Sequence, residues 1–204
     1  MLTLYYSPKS CAYAPHILLY EAEAEFTAQI VNFDREEQKS AAFLAINPKA
    51  RVPALNTPQG VLTENPAILF YIAQCFPEKH LAPTDPFALA DAQAFNMYLA
   101  STVHVAHAHR HRGYRWSDDE AAQASMTAKV AENMTECAHM IETHYLKGPY
   151  VLGDRFSMCD AYLALITRWM GPDGVTLDNF PRLRAHDEMM KERASVQAVR
   201  SLYS

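Results

Sequence analysis

Glycine is scarce in this sequence, and the glycine-rich loops that cradle nucleotides are missing. Only six of the 204 residues are glycine. Neither G-x-G-x-x-G nor G-x-x-x-x-G-K-[ST] occurs, which excludes the common glycine-rich nucleotide sites. No apolar run approaches the roughly 20 residues that span a bilayer. The sequence therefore predicts neither a glycine-loop nucleotide enzyme nor a membrane protein.

Positive charge is also in deficit. The chain has 18 Lys and Arg against 23 Asp and Glu, a formal net charge of −5. An acidic chain is poorly suited to wholesale nucleic-acid binding. One cluster of basic and aromatic residues could suggest a nucleic-acid site, but in an acidic chain we interpret it as a solvated or anion-attracting helix end. Its members are Arg110, Arg112, Tyr114, Arg115 and Trp116.

Paired cysteines are absent. The four cysteines stand at positions 11, 75, 137 and 159, and none forms a C-x-x-C motif. With no charged, apolar leader at the start of the chain, we interpret them as thiols of a cytoplasmic protein. Three lie within apolar helical patterns that are typical of a core, and Cys11 does not.

The order of the predicted elements indicates two kinds of structure. Strands are predicted at 2–6, 27–33, 52–55 and 61–62, and helices at 14–22, after 34–40 and at 65–76, with a turn at Gln59-Gly60. This βαβαββα order predicts an α/β domain with a mixed four-strand sheet over residues 1–78. A proline-rich linker follows at 79–86. Residues 87–204 are predicted to be all-helical, with helices at 88–111, 118–145, 157–170 and 181–193.

Cys11 is the first candidate for chemistry. Pro15 fits only the first turn of its helix, so Cys11 stands at or just before the helix N-terminus. Unpaired N–H groups there stabilise a reactive thiolate. The alternative interpretation is a small buried side chain.

Two other segments suit a peptide-like ligand. A cis peptide bond between Val52 and Pro53 would turn the Val52 main chain outward, where it can pair with an extended peptide; an ordinary trans proline is the alternative. The helix start at Glu64 and Asn65 suits a carboxylate, and the Glu64 side chain suits an ammonium group. Together the two features fit an amino-acid head, whereas either alone is also typical of a plain helix cap.

A cluster of histidines is a candidate for a metal site. His104, His107 and His111 share one helical face, whereas His109 does not. No carboxylate or cysteine stands beside them at familiar ligand spacing, so we expect no metal.

In their order and separation, four segments resemble the cytosolic glutathione transferases, most closely the bacterial beta class. They are residues 5–11, 47–55, 62–68 and 157–162. The resemblance implies a thioredoxin-like N-terminal domain that holds glutathione, a helical C-terminal domain, and an acceptor site in the cleft between them. It also implies a cytoplasmic homodimer that detoxifies electrophiles.

The resemblance also implies roles for individual residues. The catalytic set is Cys11, Ser10 and His104, with Tyr6 and Ser7 as rival activators of the thiol. The glutathione-binding set is Arg35, Lys39, Arg51, Val52, Pro53, Glu64 and Asn65. The acceptor site is assigned to His107 and His111.

Two departures from the family pattern stand out. Glu36 occupies the place where a lysine often reaches the glycyl carboxylate of glutathione. Met97 occupies the place of an expected asparagine, with Asn96 adjacent.

The expected function is that of a glutathione transferase. It would stabilise the glutathione thiolate for attack on a small electrophile, exchange thiols with disulfides through Cys11, and support peroxidase chemistry as a side activity. The first alternative is a catalytically weak binding or regulatory protein with the same fold. The second is a metal-dependent hydrolase that uses the histidines.

Overall fold

A computed structural model describes residues 1–203 as two compact units. The first unit contains residues 1–83 and 191–203, and the second contains residues 84–190. The division expected from sequence placed all of 87–204 in the helical part. The structure differs from this expectation because its last helix belongs to the first unit.

The first unit is a mixed four-strand sheet with helices, as the sequence predicts. The sheet order is β2-β1-β3-β4; β1 pairs in parallel with β2 and antiparallel with β3, and β3 pairs antiparallel with β4. The elements in chain order are β1 (Leu2–Tyr6), α1 (Tyr13–Glu21), β2 (Phe26–Ile30), α2 (Ala41–Ile46), β3 (Ala54–Thr57), β4 (Gly60–Thr63) and α3 (Asn65–Cys75).

Strand ends differ from the sequence prediction for local reasons. β2 ends at Ile30 rather than at 33, because Asn32 forms a turn: its N–H donates to Glu37 Oε2 (2.8 Å) and its side chain accepts from the N–H of Arg35 (3.1 Å). The predicted Gln59-Gly60 turn is displaced by one residue. Gly60, with a φ of 136°, already pairs with Thr57 in the ladder, so the two residues between them make the turn.

The chain after Lys191 closes the first unit. Helix α10 (Ala194–Arg200) packs on α1. Just before it, Arg193 donates to both carboxylate oxygens of Glu21, at 2.7 and 2.6 Å. The fully buried Tyr203 places its hydroxyl 3.0 Å from Nδ1 of His16. A bidentate ion pair and a buried polar contact therefore hold this segment against α1.

The second unit is helical in its described part. Its helices are α4 (Pro86–Tyr98), α5 (His104–Arg112), α6 (Glu120–Ala128), α7 (Val130–Met140), α8 (Met158–Met170) and α9 (Pro181–Lys191). A π-helical segment at Leu99–Val103 joins α4 to α5, so the predicted long helix at 88–111 is present with a local widening. No helix among residues 1–203 is long and apolar enough to cross a membrane.

A capping box starts α8. Asp160 accepts from the N–H and the hydroxyl of Ser157, both at 2.8 Å, while Ser157 caps the helix. Asp160 also accepts from the N–H of Val151 at 2.8 Å and lies 3.0 Å from Nε2 of the buried His186. These contacts satisfy a carboxylate that is fully buried.

Acid is expected to destabilise the protein through His16. Burial lowers the pKa of His16 from 6.5 to about 4, so the unfolded chain binds a proton that the folded chain rejects between those values. The stabilising contribution is complete above pH 6.5 and declines as the pH falls to 4, by about 3 kcal/mol. Urea unfolding of the wild type and of His16→Phe across this range measures it.

The variant separates His16 from the carboxylates. Phenylalanine keeps an aromatic ring and does not titrate, so His16→Phe should lack this part of the pH dependence. Although burial of Glu21 opposes its ionisation, hydrogen bonds from Arg193 and Ser195 prevail and lower the pKa of Glu21 from 4.5, so its contribution to stability is lost at the acid end of this range and below it. An unchanged pH slope between 6.5 and 4 in the variant would refute the prediction.

Candidate functional site

The turn after β1 places Cys11 two residues before α1. The Ser10 hydroxyl accepts from the N–H of Ser7 at 3.3 Å and from the N–H of Ala12 at 3.4 Å. The N–H of Ser10 in turn donates to the carbonyl of Ser7 at 3.1 Å. Ser10 therefore organises the backbone on both sides of Cys11. The sequence assigned it to catalysis, and its contacts in the structure show an organising role.

Cys11 lies beside the cis peptide bond that the sequence suggested. The Val52–Pro53 bond is cis. The Cys11 thiol is half-buried and donates to the carbonyl of Val52, with Sγ 3.5 Å from the oxygen. Two predicted site residues that are 41 positions apart are thus in contact. A nucleophilic sulfur stands next to backbone that precedes a strand.

Asn65 connects this turn to the start of α3. Its side-chain Nδ2 donates to the carbonyl of Cys11 at 2.9 Å. Asn65 is only 5% exposed, and its Oδ1 has no hydrogen-bond partner within residues 1–203. The sequence placed Asn65 among the glutathione ligands. In the structure, its amide fixes the segment that carries Cys11.

Glu64 precedes α3 in an unusual backbone conformation. Its φ of 73° and ψ of 125° are costly for a residue with a side chain, by about 1–3 kcal/mol. Such conformations persist where the surroundings impose them, and they concentrate at functional sites. Its side chain is 64% exposed and so is open to a ligand.

Lys49 is a residue that the sequence analysis did not single out. Its ammonium donates to Glu64 Oε1 at 2.6 Å and to Thr63 Oγ1 at 2.8 Å. Lys49 lies within one of the four family-like segments, but 15 positions separate it from Glu64. The hairpin of β3 and β4 places Glu64 beside the loop before β3, and Asn47 closes that loop around Lys49. The contact between loop and hairpin was the missing signal.

The basic residues of the predicted glutathione-binding set lie on the surface. Lys39 forms an ion pair with Glu36, the residue that departs from the family pattern. Arg35 is exposed and donates its main-chain N–H to Asn32. The side chain of Arg51 is exposed, whereas its carbonyl accepts from Asn47.

The rival activators lie in the interior. Tyr6 is buried, with its ring centroid 5.5 Å from that of His16 and 5.4 Å from that of Tyr203. Ser7 is buried in the turn that Ser10 organises. Burial also raises the pKa of the neighbouring Tyr203, which favours its neutral phenol.

In the second unit, two of the predicted histidines lie against Trp169. The ring of His107 stacks on the indole, with centroids 4.0 Å apart, and that of His104 lies at 4.7 Å. His107 Nδ1 is 2.6 Å from a carboxylate oxygen of Asp173, whose side chain is fully buried. Arg110 contacts the same carboxylate at 3.3 Å.

His111 is the third histidine of that helix face. His111 is exposed on α5. Within residues 1–203, no group of three or more His, Cys, Asp or Glu side chains is arranged to hold a metal ion.

Known proteins similar to this chain share its fold over nearly its whole length. The family model for the glutathione S-transferase N-terminal domain matches residues 1–74. A glutathione transferase homologue from Sulfitobacter, solved with bound glutathione, is 44% identical, with a TM-score of 0.95 over 98% of this chain and 97% of that one.

Two curated relatives add to this similarity. Glutathione S-transferase GST-4.5 of Xanthomonas campestris is 30% identical over 97% of this chain and 96% of its own. The maleylacetoacetate isomerase of Pseudomonas aeruginosa is 28% identical over 90% of this chain and 87% of its own.

Removal of the Asn65 amide should loosen the candidate site. We expect Asn65→Ala to lower the free energy of unfolding by about 1 kcal/mol, because the Cys11 carbonyl loses a buried donor. Urea unfolding measures the change. Asn65→Asp is a matched variant of similar shape that also lacks the N–H donor. A stability equal to that of the wild type in both variants would contradict this role.

Proposed function

This chain belongs to the glutathione S-transferase family, and we propose that it binds glutathione at Cys11, Val52 and Glu64 and transfers the glutathione thiol to small electrophiles. The observation that carries the proposal is the contact between Cys11 and the Val52 carbonyl. This contact places a sulfur near a helix N-terminus beside the Val52 main chain, whose N–H and C=O suit pairing with an extended tripeptide.

The proposed pose of glutathione follows the chemistry of its parts. The cysteinyl portion pairs with the main chain of Val52, which places its sulfur near Cys11. The γ-glutamyl head carries an ammonium and a carboxylate. Its ammonium meets Glu64, and its carboxylate meets the N-terminal end of α3, where N–H groups and the helix dipole favour an anion.

The proposed reaction is nucleophilic. A free thiol with a pKa of about 8.5 is mostly protonated at neutral pH. Lowering that pKa by about two units requires roughly 2.7 kcal/mol of preferential stabilisation of the thiolate. The thiolate then attacks an electrophilic carbon; a C–S bond forms, and the leaving group departs with the bonding electrons.

Thiol–disulfide exchange is the second reaction that Cys11 makes available. The Cys11 thiolate attacks one sulfur of glutathione disulfide, and the S–S bond breaks. A mixed disulfide forms on Cys11, and one glutathione leaves as the thiolate. A second glutathione thiolate then releases Cys11. Peroxidase activity would be an extension of the same cycle.

Several assignments stay predictions from the family resemblance. They concern the beta class, the cytoplasmic location, the homodimer and detoxification. They also concern individual residues: Ser10 and His104 as activating groups, Tyr6 and Ser7 as rival activators, His107 and His111 at the acceptor, and Arg35, Lys39, Arg51, Pro53 and Asn65 in glutathione binding. The domain boundaries at 78 and 87 have the same status.

Isomerisation is a second candidate function, favoured by the similarity to a maleylacetoacetate isomerase. A thiolate that adds to an activated cis double bond creates a single bond about which the chain can rotate. Elimination of the same thiolate then yields the trans isomer and regenerates glutathione. The site proposed above would serve both reactions. A change in the absorbance of maleylacetoacetate that requires glutathione but does not consume it would favour isomerisation over conjugation.

A mixed disulfide on Cys11 is the expected result of incubation with glutathione disulfide. Intact-mass and peptide analysis should locate one glutathione on Cys11, and Cys11→Ala should lose it. Cys75→Ser is the matched control, because Cys75 is the exposed cysteine of α3 and belongs to no proposed site. The wild type should also be retained on immobilised glutathione and turn over at least one electrophile.

Other outcomes lead to other functions. If the protein neither binds glutathione nor reacts with any electrophile or disulfide, the transferase proposal is wrong. A stable protein partner in that case would favour the binding or regulatory alternative. If the adduct forms equally in Cys11→Ala and disappears in Cys75→Ser, the exchange role of Cys11 is wrong.

A further inference from the structure

The ion pair between Lys49 and Glu64 places a positive and a negative charge side by side at the start of α3. We propose that Lys49 is a specificity-determining residue of the glutathione site, and that it makes the site select a zwitterionic amino-acid head over a simple ammonium. This inference rests on the function proposed above. It adds Lys49 to the N-terminal end of α3 as a group that recognises the ligand's α-carboxylate.

The backbone that carries Lys49 is fixed from within the first unit. Asn47 is 1% exposed, and its Oδ1 accepts from the N–H of Lys49 at 3.1 Å. Its Nδ2 donates to the carbonyl of Arg51 at 2.7 Å. A single buried amide thus closes the loop on both sides of Lys49, and the lysine side chain starts from a defined position.

The lysine ammonium is also held at its far end. Besides Glu64, it contacts the hydroxyl of Thr63, at 2.8 Å, in the last position of β4. These two contacts use two of the three N–H donors of an ammonium group. The third donor is available to an incoming carboxylate oxygen.

Glu64 cannot easily move away from Lys49. Its backbone has a φ of 73°, and the next residue, Asn65, is buried and bonded to the Cys11 turn. Glu64 Oε1 faces Lys49 at 2.6 Å, which leaves Oε2 for a ligand. The side chains of Lys49 and Glu64 are 47% and 64% exposed, so both charges are accessible.

The pair discriminates between ligands by charge. Without Lys49, Glu64 would attract any ammonium group. With Lys49 beside it, a ligand that carries only an ammonium is both attracted and repelled. A ligand that carries an ammonium and a carboxylate on one carbon can match both charges in an antiparallel arrangement. Lys49 therefore supplies specificity more than total affinity.

The test compares two ligands on three proteins. The ligands are glutathione and γ-aminobutyryl-cysteinylglycine, which retains the ammonium and lacks the α-carboxylate. The proteins are the wild type, Lys49→Met and Lys49→Arg. The dissociation constants, measured by calorimetry, give the preference for glutathione over the analogue in each protein.

We expect Lys49→Met to reduce that preference by about three- to fivefold, which is the scale of an exposed ion pair. The loss should come from weaker glutathione binding, with the analogue bound as well as before or better. Lys49→Arg keeps the charge and should retain most of the preference. Thr63→Val, which removes the hydroxyl that orients Lys49, should reduce it by a smaller factor.

The outcomes separate this inference from the function on which it rests. If the wild type does not bind glutathione, both fall. If it binds glutathione and Lys49→Met weakens the two ligands equally, Lys49 only shapes the site and the inference alone is wrong. If the preference for glutathione over the analogue is the same in Lys49→Met as in the wild type, the inference is likewise wrong.

Discussion

The hydrogen bond from the Asn65 amide to the Cys11 carbonyl is the contact on which the arrangement of the site depends. It joins the start of α3 to the turn that precedes α1, two places that are 54 residues apart. Because Glu64 directly precedes Asn65, the same bond sets how far the main chain of Glu64 lies from that of Cys11. The Glu64 carboxylate and the Cys11 sulfur therefore extend from backbone positions that are fixed relative to each other.

The sequence predicts the fold of the first unit well because its signals there are local. Alternating β-type runs, prolines at helix starts and short polar turns give the βαβαββα order. The position of Cys11 before α1 follows from the same signals, whereas they left the Val52–Pro53 bond open between cis and trans, and the structure shows it cis. The ends of the strands are harder to predict from the sequence. β2 ends early because the N–H of Asn32 donates to Glu37, five residues later, in a turn that forms only when the loop folds.

Long-range contacts account for what the sequence does not predict. The ion pair of Lys49 with Glu64 joins the loop before β3 to the end of the hairpin, and no pattern within either segment encodes that contact. Likewise, a bidentate contact between Arg193 and Glu21 spans 172 positions and draws the end of the chain to the first unit. The sequence shows that the histidines of α5 share a face. It does not show that His107 contacts Trp169 and Asp173, which lie at the end of α8 and in the turn beyond it.

The Cys11 thiol and the Val52 carbonyl link the chemical state of the sulfur to peptide recognition. A thiol can donate to this carbonyl, whereas a thiolate or a disulfide has no proton to give. Once Cys11 ionises or forms a mixed disulfide, the Val52 oxygen therefore loses one hydrogen-bond donor. A carbonyl oxygen has two lone pairs, so the N–H of an extended ligand can pair with it in either state of Cys11 and compensates for the lost donor in the ionised or disulfide state.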